Sequence, residues 1–180
     1  MIFHRLGLIH KNQRGFTLIG LMLAIAITGI VTAGVTTTML QVFDGSARIN
    51  NHMTAVRQVQ SAGYWISHDV QMAKQEPDIV NDGAQLESIT LNWTDWGGAD
   101  HEVVYSLVDM SSGNGLKDLQ RSHSINGPTE TLIAEYIDPA QTSCVWDGEV
   151  LTFTVTATVG AGSQEQSETR VYEVIRRPGS

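Results

Sequence analysis

The chain lacks a second cysteine, so Cys144 cannot close an internal disulfide. The fold must rest on packing, and 180 residues suffice to bury a core without metal or covalent support. The lone thiol reads as a small apolar side chain, with an intermolecular bridge as the alternative. Local signatures of catalysis are missing too. There is no Gly-x-Ser-x-Gly elbow, no phosphate loop and no His-Glu-x-x-His helix, so an enzyme is not expected. Internal repeats and low-complexity linkers are also lacking.

Two further absences are positional. Residues 1–15 hold Arg5, Lys11 and Arg14 but no acid, although the whole chain carries a net charge of -8. The remainder of the chain is therefore strongly acidic, which disfavours nucleic acid, because non-specific binding draws on cations that neutralise phosphates. Lys117, Arg121, Arg170, Arg176 and Arg177 are the cations that would have to gather into a DNA patch against that field.

From Phe16 to Phe43 there is no Asp, Glu, Lys, Arg, His or Pro. A helix of that length reaches about 42 Å, more than the ~30 Å hydrocarbon core of a bilayer. The basic leader before it places the amino end in the cytoplasm and the bulk outside the cytoplasmic membrane. Thr28, Thr32, Thr36, Thr37 and Thr38 are placed to return their hydroxyls to backbone carbonyls, and Gly20, Gly29 and Gly34 to admit neighbouring helices. These features suit helix-against-helix contact; an ordinary single-span anchor is the plainer reading. A secretory signal would have an apolar core of only about 7–15 residues, with "VTAGV" at Val31–Val35 as its cleavage site.

Beyond Asp44 the apolar residues narrow to Ile49, Met53, Val56, Val59, Gly63, Ile66, Val70 and Ala73, one helical stripe ended by Pro77. "DGS" at Asp44–Ser46 offers a hinge. Tyr64, Trp65 and His68 read as core or core edge, and His52 and His68 are too far apart to share a metal. From Leu86 the period becomes two. Ile89, Leu91 and Trp93 pair with Val103, Tyr105 and Leu107 as a hairpin; "LKDLQRSHS" and "TLIAEYID" come next as strands. Leu151, Phe153, Val155, Ala157 and Val159 form one face of a last hairpin closed by "TRVYEVIRR". The expected class is α+β, a long amino-terminal helix packed against an antiparallel β-meander head. Its divisions are a leader at 1–15, an apolar helix at 16–43, an amphipathic helix at 44–76 and a β-rich head at 77–180.

Within the head, "DMSSGNGLKD" offers Asp109, Asn114 and Asp118 as hard oxygen donors for calcium, though a polar hairpin turn explains the same residues and no cofactor is otherwise implied. His101 and His123 sit on strands with no Cys or His at ligand spacing and do not suggest zinc.

"RGFTLIGLMLAIAITGIV", Arg14–Val31, resembles the amino-terminal signature of type IV prepilins and type II secretion pseudopilins. The resemblance implies a pilin-like fold, cleavage by prepilin peptidase between Gly15 and Phe16, and N-methylation of Phe16. It also implies other pilin or pseudopilin subunits and an inner-membrane assembly platform as partners, and a filament outside the membrane whose core is the apolar helix. The family usually carries glutamate at the fifth mature position, which here is Gly20. That departure implies a minor, low-copy subunit at or near a filament tip. The alternative is a single-pass membrane-anchored exoplasmic binding module that does not polymerise, with its mature start at Met1 or after about Ala33.

Overall fold

The computed structural model describes residues 17–82, 85–111, 114–125 and 127–176. They divide into two compact units, Met1–Phe43 and Asp44–Ser180. Helix α1 (Leu18–Met72) supplies the first unit's regular structure and opens the second, and Asp44–Ser46 is helical.

In the first unit no side chain from Leu18 to Phe43 is buried. The segment is long and apolar enough to cross a membrane. Its polar groups turn back on the helix. Thr28, Thr32 and Thr36 donate to the carbonyls of Ala24, Thr28 and Thr32 at 2.8, 2.8 and 2.9 Å. Thr37 and Thr38 do the same to Ala33 and Gly34 at 2.9 and 3.0 Å. Each hydroxyl is thus satisfied within one turn, as an apolar solvent requires.

In the second unit α1 buries Ala55, Val59, Ala62, Ile66 and Val70, with Ala73 just past its end. The spacing is helical, but the stripe differs from the expected one at its start. Ile49 and Met53 are 65% and 49% exposed, and the core begins at Ala55. The contact is built from small residues, which a search for large apolar side chains passes over. Gly63 shows why smallness matters: a Cβ there would overlap the ring of Tyr172. The Tyr172 hydroxyl donates to the Val59 carbonyl at 3.0 Å, so the phenol lies across the helix.

Eight antiparallel strands face this stripe: β1 (Asp78–Asp82), β2 (Gln85–Thr94), β3 (Asp100–Asp109), β4 (Lys117–Ser124), β5 (Pro128–Ile137), β6 (Ser143–Trp146), β7 (Val150–Val159) and β8 (Gln166–Ile175). Their order is β1-β2-β3-β4-β5-β7-β6, with β8 also paired to β7. The meander therefore holds from β1 to β5 and breaks where β7 joins β5. Strands β1 and β6 were not anticipated; "DIVND" and "SCVW" are too short and mixed to show a period. Elsewhere alternation is as expected, with Ile89, Leu91, Trp93, Val103, Tyr105 and all five inward residues of β7 buried. Strand β5 departs from it. Ile133 and Ala134 are both buried, the register against β4 shifts, and Tyr136 sits at φ 61°, the signs of a bulge.

Bonds at both ends of this helical segment tie it to the sheet. At the helix end the Lys74 amide donates to the Asn92 carbonyl at 3.0 Å. Between β7 and β8, a short 3-10 turn (Gly162–Gln164) meets the helix, with Asn51 Nδ2 donating to the Gln164 carbonyl at 2.8 Å. Gln164 Nε2 in turn donates to Asp44 Oδ1 at 3.0 Å. Gly160, at φ 93°, has no room for a side chain, since a Cβ would run into Asn51.

Candidate functional site

Gly15 and Phe16 lie outside the described residues. The first described turn shows how the helix starts. Thr17 precedes α1 as its N-cap: its Oγ1 accepts the Gly20 amide at 3.3 Å and its carbonyl accepts the Leu21 amide at 3.1 Å. Gly20 is then the third helical residue, the place where a capping box puts Glu or Gln to reach back to the cap amide. Glycine leaves that half of the box unmade, and the first turn holds no acid.

Local crowding does not demand the glycine. A Cβ at Gly20 would meet only Thr17 Oγ1, at 3.3 Å, the end of a rotatable side chain, and a Cβ at Gly29 or Gly34 would meet nothing within 4 Å. The helix would tolerate larger residues at all three positions. Gly29 helps to leave a shallow groove along one side, lined also by Ala24, Ile25, Thr28, Thr32, Ala33, Thr36 and Thr37, into which another helix could press closely.

The head holds a buried ionic centre that the sequence reading missed. Asp69, on the core side of α1, is 1% exposed. Its Oδ2 accepts from Tyr105 OH at 2.6 Å and from Arg121 Nε at 2.7 Å, and its Oδ1 lies 3.1 Å from His68 Nδ1. The Arg121 guanidinium also lies over the Trp65 ring, 5.2 Å from its centroid. Burial alone would raise the Asp69 carboxyl, but hydrogen bonds from Arg121, Tyr105 and His68 outweigh it and hold the group below its ordinary range. Burial, with Asp69 alongside, pushes the Tyr105 phenol far upward. The centre joins α1, β3 and β4 and is a structural clasp, since every member is bonded to another. A signal was available: Asp69 comes three positions after Ile66 on the stripe, and Arg121 is in phase with Leu119.

The other residues singled out in the sequence have varied surroundings. Trp65 packs at the core edge, whereas Tyr64 is 65% exposed, a departure from the core reading. His52 is exposed. Asp109 opposes Lys117 and bonds to it at 3.3 Å, while Asp118 opposes Val108, so alternation sends the two acids to opposite faces of the sheet. Asn114 Oδ1 accepts the Leu116 amide at 3.3 Å. Among the described residues no three His, Cys, Asp or Glu side chains converge on a point suited to a metal. Against the sequence reading, His101 and His123 do meet: Nδ1 of the first is 3.0 Å from Nε2 of the second. Cys144 is buried, which pushes its thiol up to about 12. The cations do not gather: Arg121 serves Asp69, Lys117 serves Asp109, Arg170 pairs with Glu168, and Arg176 bonds the Lys74 carbonyl. Arg177 lies outside the described residues.

A family model described as the prokaryotic N-terminal methylation motif matches residues 10–36. No curated protein and no solved structure matches the chain. The matched segment spans the end of the basic leader, Gly15, Phe16, the N-cap and about three quarters of the apolar helix.

Proposed function

Because residues 10–36 carry the prepilin-type signal and introduce a membrane-anchoring helix followed by a pilin-like antiparallel head, we propose that this pilin- or pseudopilin-like substrate of prepilin peptidase is a minor filament subunit. The peptidase cuts between Gly15 and Phe16 on the cytoplasmic face, and the freed Phe16 amine is methylated. The head stands outside the cytoplasmic membrane. From there the assembly platform moves the subunit into a type IV pilus-like or type II secretion filament beside other subunits. The protein's part is structural rather than catalytic.

One observation carries the reading: the methylation motif leads directly into a helical segment that buries nothing of its own. Such a segment exchanges lipid for neighbouring helices with little change in water exposure, and its small-residue groove favours that exchange. Gly20 supports the minor role. A carboxylate there would offset a neighbour's terminal ammonium at membrane depth, where an unpaired charge costs at least ~2.5–3.5 kcal/mol. The turn has room for that carboxylate and does without it. A subunit that never has to seat a neighbour in this way, as at a tip, loses nothing.

Mass spectrometry of the amino terminus, on protein from cells with an active prepilin peptidase, tests the proposal. The expected species begins at methylated Phe16. A chain beginning at Met1, or after about Ala33, would overturn it in favour of a tethered binding module.

A further inference from the structure

Where β2, β3 and β4 end together, His101 lies in phase with Val103 and Tyr105, and His123 in phase with Arg121 and Leu119. Both imidazoles therefore face inward, at the margin of the core beside Trp93. His101 Nδ1 and His123 Nε2 are 3.0 Å apart and the ring centroids 5.2 Å apart. The centroid separation is close to the nitrogen separation plus the two ring radii, so the nitrogens meet almost head on. The Trp93 indole stacks on both rings, at centroid distances of 5.1 and 5.8 Å. On the far side of His101, Nε2 lies 3.4 Å from Asp95 Oδ2. The other oxygen of that carboxylate accepts the amides of Gly97 and Ala99 at 2.8 and 2.9 Å and so shapes the β2–β3 turn. Trp96, at the tip of this turn, is fully exposed.

The head-on geometry decides what fits between the rings. An ion on the line joining the nitrogens would need about 4 Å, two bonds of ~2.0 Å each, and only 3.0 Å is present. A hydrogen fits. With Asp95 holding a proton on Nε2 of His101, Nδ1 accepts and His123 Nε2 donates. A first added proton completes a chain from carboxylate to imidazolium to imidazole beneath an indole face, all favourable contacts. A second proton would set two imidazolium N–H groups against each other.

The charges around the pair sharpen this asymmetry. Asp95 on the turn favours the first proton, whereas Asp100 and Glu102 flank His101 on β3 and alternate to the other face of the sheet. Arg121 on β4 opposes the second, Asp69 on α1 offsets Arg121 only in part, and Lys74 borders the adjoining cleft. Burial, then Arg121 and His101, already hold His123 below the usual histidine value of 6.5.

We propose that His101 and His123 form a one-proton unit that latches the Asp95–Ala99 turn, and with it Trp96, to β4, and that acid releases the turn by forcing in a second proton. The sign comes from proton counts. Below the usual histidine range the unfolded chain binds two protons on these residues and the folded chain one. With the first proton favoured and the second opposed, stability is greatest where the folded pair holds its one proton and falls as pH drops below the usual histidine range.

The test uses the full chain in detergent micelles with nitrogen-15 histidine. Imidazole spectra are recorded from pH 8 to 4.5 and assigned with His101→Gln and His123→Gln. The pair is expected to take up one proton by pH 5, where independent imidazoles would take two. Over the same range the Gly97 and Ala99 amides should lose protection from hydrogen exchange about tenfold, the equivalent of one pK unit. In His123→Gln that acid-dependent loss should vanish. Two separate protonations complete by pH 5, or protection that ignores pH in the native chain, would overturn the proposal. So would stoichiometric binding of added zinc at the two nitrogens, which would make the pair a chelate. Protection of the Gly97 and Ala99 amides in the native chain is read without any variant, so the test survives a variant that fails to fold.

Discussion

The two units handle polar groups in opposite ways. From Leu18 to Phe43 the threonine hydroxyls from Thr28 to Thr38 bond four positions back along their own helix. From Asp44 on, the same helix sends its polar side chains to partners far away in sequence. Ser61 donates to the Ile133 carbonyl across 72 positions, and Gln58 accepts the Glu135 amide across 77. Asn51 bonds the Gln164 carbonyl across 113. One stretch is complete alone and presents an indifferent surface that any similar helix could cover. The other is complete only with its sheet. The proposed function asks for an anchor that can be exchanged and a head that is unique, and this bonding pattern suits that division.

The sharpest way to break this contrast is Asp69→Ala, which leaves the Arg121 guanidinium and Tyr105 hydroxyl buried without their acceptor. We expect the head to lose about 3–5 kcal/mol, read as the urea midpoint of the full chain in micelles by near-ultraviolet circular dichroism. Thr32→Val should leave the same transition in place; an equal shift in both would erase the distinction between the units. Because the folded carboxyl is depressed, the stability Asp69 supplies is present above its ordinary value of 3.8 and is lost as pH falls below it.

Gly63→Ala should come next, at about 1–3 kcal/mol for forcing a methyl against the Tyr172 ring. In a Tyr172→Ala background the penalty should disappear; if it persists, helix and sheet are not held apart by that ring. Gly20→Glu should change head unfolding by less than ~0.5 kcal/mol and leave cleavage intact, yet alter how many copies enter the filament or where they sit. Unchanged copy number and position would count against the tip placement. The last test reads reactivity rather than stability and concerns Cys144. With its thiol pushed up to about 12, the folded chain at pH 8 holds so little thiolate that it should react with a thiol reagent roughly 1,000-fold more slowly than the unfolded chain.

The anchor was legible from composition because its determinant, an unbroken lack of charge, is itself a property of the sequence. Alternation likewise revealed β2, β3 and β7. The features that escaped detection depended on register. His101 and His123 are 22 positions apart and become neighbours only once β3 and β4 are aligned. Asp69 was overlooked because the stripe was traced through apolar residues, although an acid three positions after Ile66 occupies the same helical face. The small residues Ala55 and Ala62 hid the true start of the core for a related reason: close approach requires little side chain, and little side chain gives little hydropathy.

The β7–β8 turn has a mechanical consequence. Its bonds to Asn51 and Asp44 lie at the very beginning of the helix's contact with the head, ahead of every buried stripe residue. Tension arriving along the helix from its amino end would load these few bonds first and strip them one after another, before the Asp69 clasp felt any strain. The turn would act as a mechanical fuse, able to yield and re-form while the packed sheet behind it stayed whole.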